Sequence, residues 1–324
     1  MSARIGFVAI GRNEGPRFKR CLLSIAKAGE RIVYVDSGSV DDSVAFAREN
    51  GALVVELQND VAFTAARARN AGFDALIEQW PDTRYVQFID GDCELAEGFV
   101  EVAANELDNH PEIGAVTGRC RELFPDATIY NRLCDMEWAG PIGEINACGG
   151  IFMTRAGAFR DIGGFNPRVI AAEDDEFCIR LRQTGAKITR IDRDMCFHDA
   201  DIRQFSQWWR RMVRAGHAFA QLGELHPGYF RAERMRAWSW GLLLPVLVLA
   251  AAPASNGMSF GLLLLYPASF IRTRAGLMRQ GAAPAHAGLA ARYLTLAKFP
   301  NLFGILDYKR KKLTGREIGI VEYK

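Results

Sequence analysis

The N-terminal part of the sequence alternates between two hydrophobic patterns, and this alternation is the strongest constraint on the fold. Short apolar and β-branched stretches predict strands, and each is followed by residues with helical spacing. Strands are predicted at 5–10, 31–35, 53–57 and 85–89, with helices at 17–28, 43–50 and 63–77 between them. Strands that are separated by helices pair in parallel through right-handed crossovers. We therefore expect an α/β fold with a doubly wound, mostly parallel sheet.

The fourth predicted strand ends in Asp90-Gly91-Asp92. A single glycine between the two carboxylates lets both turn toward one point beyond the strand's carboxyl end, where open α/β sheets bind ligands. Oxygen ligands of this kind suit Mg²⁺ or Mn²⁺, which keep coordination positions open for substrate phosphates. Asp and Gly are also ordinary turn residues, so a turn without a metal is the alternative.

A second acidic cluster, Glu173-Asp174-Asp175-Glu176, opens a predicted helix. Adjacent carboxylates raise one another's pKa, which is how proteins tune acid and base catalysts. Acidic residues also favour helix N-termini through the helix dipole, so a purely structural role is the alternative. His198 follows a predicted strand, from which its imidazole can reach the same metal. A structural histidine is the alternative there.

Composition and charge exclude several classes of protein. With 324 residues, of which 49% are hydrophobic, the chain can bury a full core and form one large domain with an appendage. A formal net charge of +2 gives no reason to expect a nucleic-acid partner. The sequence has neither a Gly-x-Gly-x-x-Gly after the first strand nor a P-loop, so both common phosphate-binding motifs are missing.

The cysteines and the N-terminus predict a cytoplasmic catalytic domain. Seven cysteines are scattered without a Cys-x-x-Cys pair, which disfavours a zinc site and a disulfide framework. The first predicted strand begins at Ile5, so we expect no signal peptide.

The composition changes after residue 236. Two apolar arms, 238–252 and 259–271, flank a turn at 253–257, and arginines lie on both sides. This pattern predicts a hairpin that dips into or just crosses a membrane, with both ends in the cytoplasm. A basic run at 308–312 suits anionic lipid. The alternative is a buried hairpin in a soluble dimer. We expect a catalytic domain at 1–225, the hydrophobic hairpin at 226–280 and a basic tail at 281–324.

Six motifs in a fixed order give the chain a family resemblance. They are Val8–Glu14, Val35–Ser39, Ala66–Gly72, Asp90–Asp92, Gly163–Phe165 and Glu173–Arg180. Together they resemble family 2 glycosyltransferases over about residues 4 to 220. The resemblance implies a nucleotide-sugar-binding α/β domain of the GT-A type and inverting transfer of a sugar. It also implies Mg²⁺ or Mn²⁺ as cofactor and a UDP-sugar as donor.

The resemblance also implies roles for individual residues, taken motif by motif. Asp36 binds the nucleobase, and the nucleotide pocket is lined by Arg12, Glu14 and Arg69. Asp90 and Asp92 serve the ribose, the metal and the diphosphate. Asp174 matches the catalytic base, and His198 matches a histidine that completes the metal site in some relatives. Arg12 departs from the family pattern, since many relatives have a small or aromatic residue before the Asn-Glu pair.

The predicted helix 204–216 has aromatic and basic faces. Processive members of the family carry Gln-x-x-Arg-Trp here, whereas this chain has Gln207-Trp-Trp-Arg-Arg211, which argues against polymerisation. Trp208 and Arg210 are predicted to bind substrate, with Trp208 and Trp209 either stacked on an acceptor sugar or placed at a membrane surface. Ordinary packing of a surface helix is the alternative for the tryptophans.

The combined expectation is a glycosyltransferase on the cytoplasmic face of a cell membrane. It would move one sugar from a nucleotide-diphosphate-sugar to a lipid-linked or cell-envelope glycan acceptor. The alternatives are a nucleotidyltransferase, which would release pyrophosphate, and a catalytically silent glycan-binding or scaffold protein on the same fold.

Overall fold

The structure of the protein is a computed structural model that describes residues 4–58 and 63–315. In it the chain divides into two units. The first contains the described residues up to 125 and residues 137–200, and the second contains 126–136 and the described residues from 201 onward. The predicted boundary was residue 225. The structure places the helix after residue 204 in the second unit, because that helix packs along the C-terminal helix of the same unit.

The first half of the sheet in the first unit is parallel, as predicted. Its strands are β1 (Ile5–Gly11), β2 (Ile32–Asp36), β3 (Leu53–Glu56) and β4 (Tyr85–Asp90), paired in the order β3-β2-β1-β4. The connecting helices are α1 (Pro16–Ala26), α2 (Ser43–Glu49) and α3 (Ala65–Gln79). The middle residues of β1, β2 and β4 are buried, as expected for parallel strands covered by helices on both faces. This confirms the α/β class.

The second half of the sheet is mixed, which the sequence did not predict. The elements are β5 (Cys93–Leu95), α4 (Phe99–Asn109), β6 (Ile113–Glu122), α5 (Ile129–Trp138), β7 (Gly143–Glu144), β8 (Phe152–Arg155), α6 (Ala156–Asp161), α7 (Glu173–Gln183) and β9 (Lys187–His198). The order continues as β4-β8-β6-β9-β5, with β8 antiparallel to both of its neighbours. β6 runs parallel to β9, whereas β5 and β7 pair antiparallel with β9.

The first unit has two hydrophobic clusters, one on each face of the sheet, and alternate residues of β1 belong to each. Phe7 and Ala9 belong to one cluster, and Val8 and Ile10 belong to the other, because successive side chains of a strand point to opposite faces. The second cluster includes the buried rings of Phe88, Phe152, Phe159, Phe165 and Phe177. Burying each such side chain contributes about 1.5–3 kcal/mol, so this cluster anchors the loop before α7 and α7 itself to the sheet.

The second unit contains helices. Besides most of α5, they are α8 (Phe205–Leu225), α9 (Arg231–Trp238), α10 (Leu244–Ala251), α11 (Leu265–Arg279), α12 (Pro284–Leu296) and α13 (Lys298–Leu313). A π-helical segment, Ser239–Leu243, joins α9 to α10, and a 3₁₀ segment, Met258–Leu264, precedes α11. The two apolar arms therefore form a helical hairpin. Within the described residues, no helix is both long enough and apolar enough to cross a membrane.

The region predicted as a basic tail differs in the structure. Residues 284–313 form α12 and α13, and within this region residues 316–324 lie outside the described part of the chain. α13 buries Leu302, Ile305 and Tyr308, which recur every three residues and so share one helix face. Arg310, Lys311 and Lys312 lie in its last turn, where their charges interact favourably with the helix dipole.

Two glycines allow α8 and α13 to pack closely. A Cβ atom on Gly216 would lie 2.0 Å from the carbonyl oxygen of Asn301, and one on Gly304 would lie 2.0 Å from that of Val213. Neither contact leaves room for a methyl group, so the helices can meet at this distance only with glycine at both positions.

We predict that Gly304→Ala destabilises the second unit by about 1–3 kcal/mol, because the added methyl group forces the two helices apart. Gly276→Ala is the matched control: its Cβ would have no neighbour within 4 Å. Since alanine is the better helix former, that variant should be neutral or more stable by about 0.5–1 kcal/mol. Denaturant unfolding of both variants measures the difference. Equal stabilities would show that the close packing is not needed.

Candidate active site

Asp90 and Asp92 lie where β4 leaves the sheet, as the sequence predicted. The amide of Gly91 donates to the carbonyl oxygen of Ile10 in the neighbouring strand, with N and O 2.8 Å apart. A Cβ on Gly91 would come within 3.1 Å of that same oxygen. Glycine therefore lets the chain turn against β1 and present the two carboxylates beyond the sheet edge.

Arg69 ties this edge to the start of α7. Its Nη2 donates to Oδ1 of Asp90 at 2.7 Å, and its Nη1 donates to Oε1 of Glu173 at 2.6 Å. The side chain is 2% exposed and lies over the ring of Phe165, 5.4 Å from its centroid. Burial lowers the pKa of Arg69, but the two carboxylates outweigh this effect and hold it above its usual value. Arg69 therefore stays charged and fixes β4, α3 and α7 to one another.

A glycine next to β8 fits around this ion pair. A Cβ on Gly150 would lie 2.4 Å from Nη2 of Arg69 and 3.4 Å from Oδ2 of Asp90. The preceding Gly149 has a φ of +75°, in the region that favours glycine. The chain entering β8 can therefore pass directly against the Arg69–Asp90 pair.

Asp174 has the raised pKa that suits a general base. It lies in the first turn of α7, after Ala172, whose φ of +59° is unusual for a residue with a side chain. The pKa of the Asp174 carboxyl is raised to about 8. Burial is the largest cause, the charges of Asp175 and Glu173 act in the same direction, and the charge of Arg69 opposes them. A carboxylate with this pKa accepts a proton more readily than an ordinary aspartate near neutral pH.

The pKa of Asp90 is also raised. Burial is the largest cause, the charges of Asp92 and Glu173 add to it, and Arg69 opposes it. One oxygen of Asp90 already accepts the hydrogen bond from Arg69, and the side chain is one third exposed. Asp90 is thus held by Arg69 while keeping an accessible surface. Its predicted part in ribose or metal binding stays a prediction.

Asp92 and His198 are brought together by a strand that the sequence did not predict. β5 pairs antiparallel with β9, so Cys93 lies opposite His198. As a result Nε2 of His198 is 3.4 Å from Oδ1 of Asp92. The imidazole is 15% exposed and meets the ring of Trp138 edge to face at 4.5 Å.

Cys93 adds a third group at this position. Its Sγ lies 3.5 Å from Oδ1 of Asp92, and one ligand atom from each of Asp92, Cys93 and His198 lies within 4.8 Å of the others. A carboxylate oxygen with an imidazole nitrogen suits a divalent transition metal such as Mn²⁺. The sequence pointed to Asp92 and His198 but not to Cys93, whose one available signal is that it directly follows Asp92.

Asp36 lies at the end of β2 and organises the loop that follows. Its Oδ2 accepts hydrogen bonds from the amides of Gly38 at 2.9 Å and Ser39 at 2.8 Å, and its Oδ1 accepts one from the Tyr34 hydroxyl at 2.9 Å. The residue is 3% exposed. The structure thus shows a loop-shaping role, and a contact with the nucleobase stays a prediction.

The loops after β1 and β2 are hydrogen-bonded to each other. The amide of Asn13 donates to Oγ of Ser39 at 2.9 Å, Oδ1 of Asn13 accepts from the amide of Val40 at 2.8 Å, and the amide of Gly15 donates to Oδ2 of Asp41 at 2.9 Å. Asn13 has a φ of +54°, which asparagine tolerates better than most residues. The sequence did not predict this use of Asn13; its available signal is the turn-forming composition of residues 11–16, Gly-Arg-Asn-Glu-Gly-Pro.

Arg12 and Glu14 lie on the same loop. The Arg12 guanidinium is 5.6 Å from the ring centroid of Phe63, and Glu14 forms an ion pair of 2.8 Å with Arg17. Both residues follow β1, next to the loop that Asp36 shapes. Their predicted contacts with a nucleotide stay predictions.

Trp208 and Arg210 lie on α8 in the second unit. Trp208 is 4% exposed and packs edge to face against Tyr293, with centroids 4.8 Å apart, whereas Arg210 is exposed. Oε1 of Gln207 accepts from the backbone amides of Arg203 and Gln204, so this glutamine caps the helix. The structure therefore gives Trp208 and Gln207 structural contacts, and acceptor binding by Trp208 and Arg210 stays a prediction.

Two protein-family models match most of the first unit. The model described as glycosyl transferase family 2 matches residues 8–163. The model described as the N-terminal domain of galactosyltransferase matches residues 133–201. Together these ranges include the elements that carry Asp36, Arg69, Asp92, Asp174 and His198.

Two curated proteins are similar to part of the chain. The chain is 25% identical over 232 residues to a pre-mycofactocin glycosyltransferase of Mycobacterium tuberculosis, covering 67% of this chain and 47% of the relative. It is 31% identical over 132 residues to a TPR repeat-containing protein of Synechococcus elongatus, covering 40% of this chain and 30% of that protein. The chain thus spans about half the length, or less, of these relatives.

One solved structure matches almost the whole chain. It is the mannosyltransferase PcManGT from Pyrobaculum calidifontis, in complex with GDP-Man and Mn²⁺. The match has a TM-score of 0.61 and 18% identity, and it covers 95% of this chain and 88% of that chain. At this identity the match establishes a common fold, the GT-A type that the sequence predicted.

We predict that Arg69→Lys destabilises the first unit by roughly 1–3 kcal/mol, because a single ammonium group cannot reproduce both planar guanidinium contacts and leaves a buried carboxylate short of a donor. Arg84→Lys is the matched control. Arg84 pairs with Asp108 at 2.7 Å but is 59% exposed, so we expect a loss below about 1 kcal/mol. Denaturant unfolding measures both. A loss at Arg69 no larger than at Arg84 would contradict the structural role of the buried pair.

Proposed function

We propose that this protein, whose residues 8–163 match the model of glycosyl transferase family 2, transfers a single sugar from a nucleotide-diphosphate-sugar to an acceptor hydroxyl, with inversion at the anomeric carbon. The observation that carries the proposal is the pairing of two devices in one unit. Asp92 and His198 form a candidate metal site, and Asp174 is a carboxylate whose pKa is raised to about 8. We propose a UDP-sugar as the donor.

The residues at the candidate metal site fit a divalent ion. Oδ1 of Asp92 and Nε2 of His198 are 3.4 Å apart, which is less than twice a typical metal–ligand distance of about 2.1 Å. Both atoms can therefore ligate one Mg²⁺ or Mn²⁺. Bound there, such an ion would neutralise the charge that develops on the departing diphosphate.

Asp174 would act at the acceptor. As the acceptor hydroxyl attacks the anomeric carbon, its proton must move to a base on the side opposite the leaving group. The raised pKa of Asp174 suits that role, and attack from the far side inverts the configuration. General-base assistance of this kind contributes about 10²–10⁴-fold to the rate. Arg69 would keep this base in place through its bond to Glu173, the preceding residue.

The second unit supports a proposal about location. The uncharged stretch 237–271 exposes large apolar side chains, including Leu249 at 65%, Met258 at 82% and Leu264 at 70%. Arg236 and Arg272 flank it. An apolar surface of this kind with cationic flanks favours an anionic membrane. We propose that the protein works on the cytoplasmic face of the cell membrane and uses a lipid-linked or cell-envelope glycan acceptor in polysaccharide biosynthesis.

We predict that Asp92→Asn loses divalent-dependent binding of the nucleotide sugar and loses turnover, while its unfolding transition stays close to that of the parent. Thermal shift with UDP-sugars, with and without Mn²⁺, measures donor binding, since a ligand of the folded state raises its stability. Release of nucleoside diphosphate measures turnover. Release of pyrophosphate would instead identify a nucleotidyltransferase, and full activity in excess chelator would exclude the metal-dependent route.

We predict that kcat/KM rises with pH and levels off above about pH 8, because Asp174 must be deprotonated to accept the proton. Asp174→Asn should bind donor normally, turn over at least about 10²-fold more slowly and lose this pH dependence. Asp175→Asn is the matched control. The Asp175 charge raises the pKa of Asp174, so its removal should move the rise to lower pH without abolishing turnover. A normal saturated rate in Asp174→Asn would exclude Asp174 as the base.

We predict that the full-length chain fractionates with membranes and is released by detergent but not by high salt alone. Salt screens attraction between charges, but it does not weaken the hydrophobic contact of the apolar surface with lipid. Recovery in the soluble fraction without detergent would refute the proposed location. Release by salt alone would reduce it to an electrostatic surface contact.

A further inference from the structure

The hairpin of the second unit combines an uncharged sequence with an exposed apolar surface. No charged residue occurs between Arg236 and Arg272. The large apolar side chains that are at least half exposed lie on both arms and at the turn. They are Leu243, Leu249, Met258, Phe260, Leu264 and Ile271. An exposed apolar surface of this extent within one folded unit requires an apolar partner.

Three backbone amides and two serine hydroxyls at the turn of the hairpin form hydrogen bonds within the hairpin. The amides of Ser255, Gly257 and Met258 donate to carbonyl oxygens within residues 251–255. Oγ of Ser259 donates to the carbonyl oxygen of Val248 at 2.8 Å, and Oγ of Ser255 accepts from the amide of Ser259 at 3.1 Å. A turn in water has no need of these bonds, whereas a turn in hydrocarbon must make them because no water is present.

The opposite end of the hairpin has the composition of a membrane–water interface. Nζ of Lys298 lies 4.2 Å from the ring centroid of Trp240, and the hydroxyl of Tyr266 donates to the carbonyl oxygen of Trp240 at 2.5 Å. Nζ of Lys309 lies 5.0 Å from the ring centroid of Trp238. Tryptophan, tyrosine and lysine side chains of this kind concentrate at the headgroup level of membranes. We call Trp238, Trp240 and Tyr266 the aromatic belt.

The distance from the belt to the turn matches one leaflet. From Trp240 to Ala252 the chain is helical for nearly its whole length, and at 1.5 Å per residue it rises about 18 Å. The hydrocarbon of one leaflet is about 15 Å thick, half of the roughly 30 Å of the bilayer. With an average tilt of about 20°, a helix of this length ends near the middle of the bilayer.

From these observations we infer that the hairpin is monotopic: it enters a single leaflet, with the aromatic belt among the headgroups and residues 253–257 near the bilayer centre. The inference rests on the proposed membrane location and adds its depth and sidedness. Both ends of the hairpin lie at the same surface, and the partner of its apolar faces is the acyl chains of one leaflet.

Labelling in vesicles tests the depth. Full-length Ala254→Cys is bound to vesicles of phosphatidylethanolamine and phosphatidylglycerol, and Gln280→Cys, at the exposed end of α11, is the control. Six of the seven native cysteines are buried and Cys120 is half-buried, so the parent chain measures the background. A maleimide that cannot cross membranes is added outside the vesicles or trapped inside them. A bimane label at 254 is then tested for quenching by lipids brominated near the bilayer centre or near the headgroups.

We expect Gln280→Cys to react from outside, and Ala254→Cys to react from neither side and to be quenched most by bromine near the bilayer centre. Reaction of Ala254→Cys with the trapped reagent would overturn the inference, because the turn would have reached the far surface. Reaction from outside would also overturn it, because the turn would lie in water. Failure of the parent chain to bind vesicles would instead refute the proposed location.

A charge on the apolar surface provides a second test. Leu249→Glu changes a side chain that is 65% exposed, so the unit should still fold, and its vesicle partitioning should fall at least about 10²-fold. Val40→Glu, at a side chain that is 93% exposed in the first unit, should leave partitioning unchanged. Sedimentation equilibrium without lipid checks the other apolar partner. A parent dimer that Leu249→Glu dissociates, with no vesicle binding by either, would assign the surface to a second copy of the chain.

Discussion

The guanidinium of Arg69, buried between Asp90 and Glu173, is the interaction that joins the two acidic segments of the candidate active site. A buried charge is tolerated only when it is paired and hydrogen-bonded, and removal of one partner leaves the others at high energy. The surrounding chain is adapted to it. Gly150 leaves room for Nη2, and the ring of Phe165 packs against the guanidinium. The pair therefore links the end of β4 to the start of α7.

The same arginine sets the chemistry of the neighbouring acids. Burial and the charges of Asp175 and Glu173 raise the pKa of Asp174, and Arg69 limits the rise. The result is a carboxyl with a pKa of about 8, within reach of working pH, instead of one that stays protonated. The metal-binding pair is built separately, by the pairing of β5 with β9 that brings His198 to Asp92. Base and metal site thus depend on different contacts, so mutations can separate their effects.

The apolar residues of the second unit are placed in two different ways. α8 and α13 meet through Gly216 and Gly304 and bury the apolar face of α13. The hairpin instead leaves most of its leucines exposed, while the hydroxyl of Ser259 at its turn donates to the carbonyl oxygen of Val248. The close packing of α8 and α13 is typical of a protein interior. The exposed apolar side chains and internal hydrogen bonds of the hairpin are typical of a segment in an apolar solvent.

The sequence by itself determined β1 to β4, the position of Asp90 and Asp92 at the end of β4, the acidic start of α7 and the apolar hairpin, because each follows from local periodicity and residue chemistry. It did not determine the antiparallel β8, the short β5 or the folding of residues 284–313 into helices that pack. Arg69 and Glu173 are 104 residues apart, and their bond raises no local signal. Only the tertiary structure decided which charges are buried together, because burial and strand register depend on contacts between distant segments. Burial and neighbouring charges set the pKa of Asp174. The register of β5 against β9 sets the approach of His198 to Asp92.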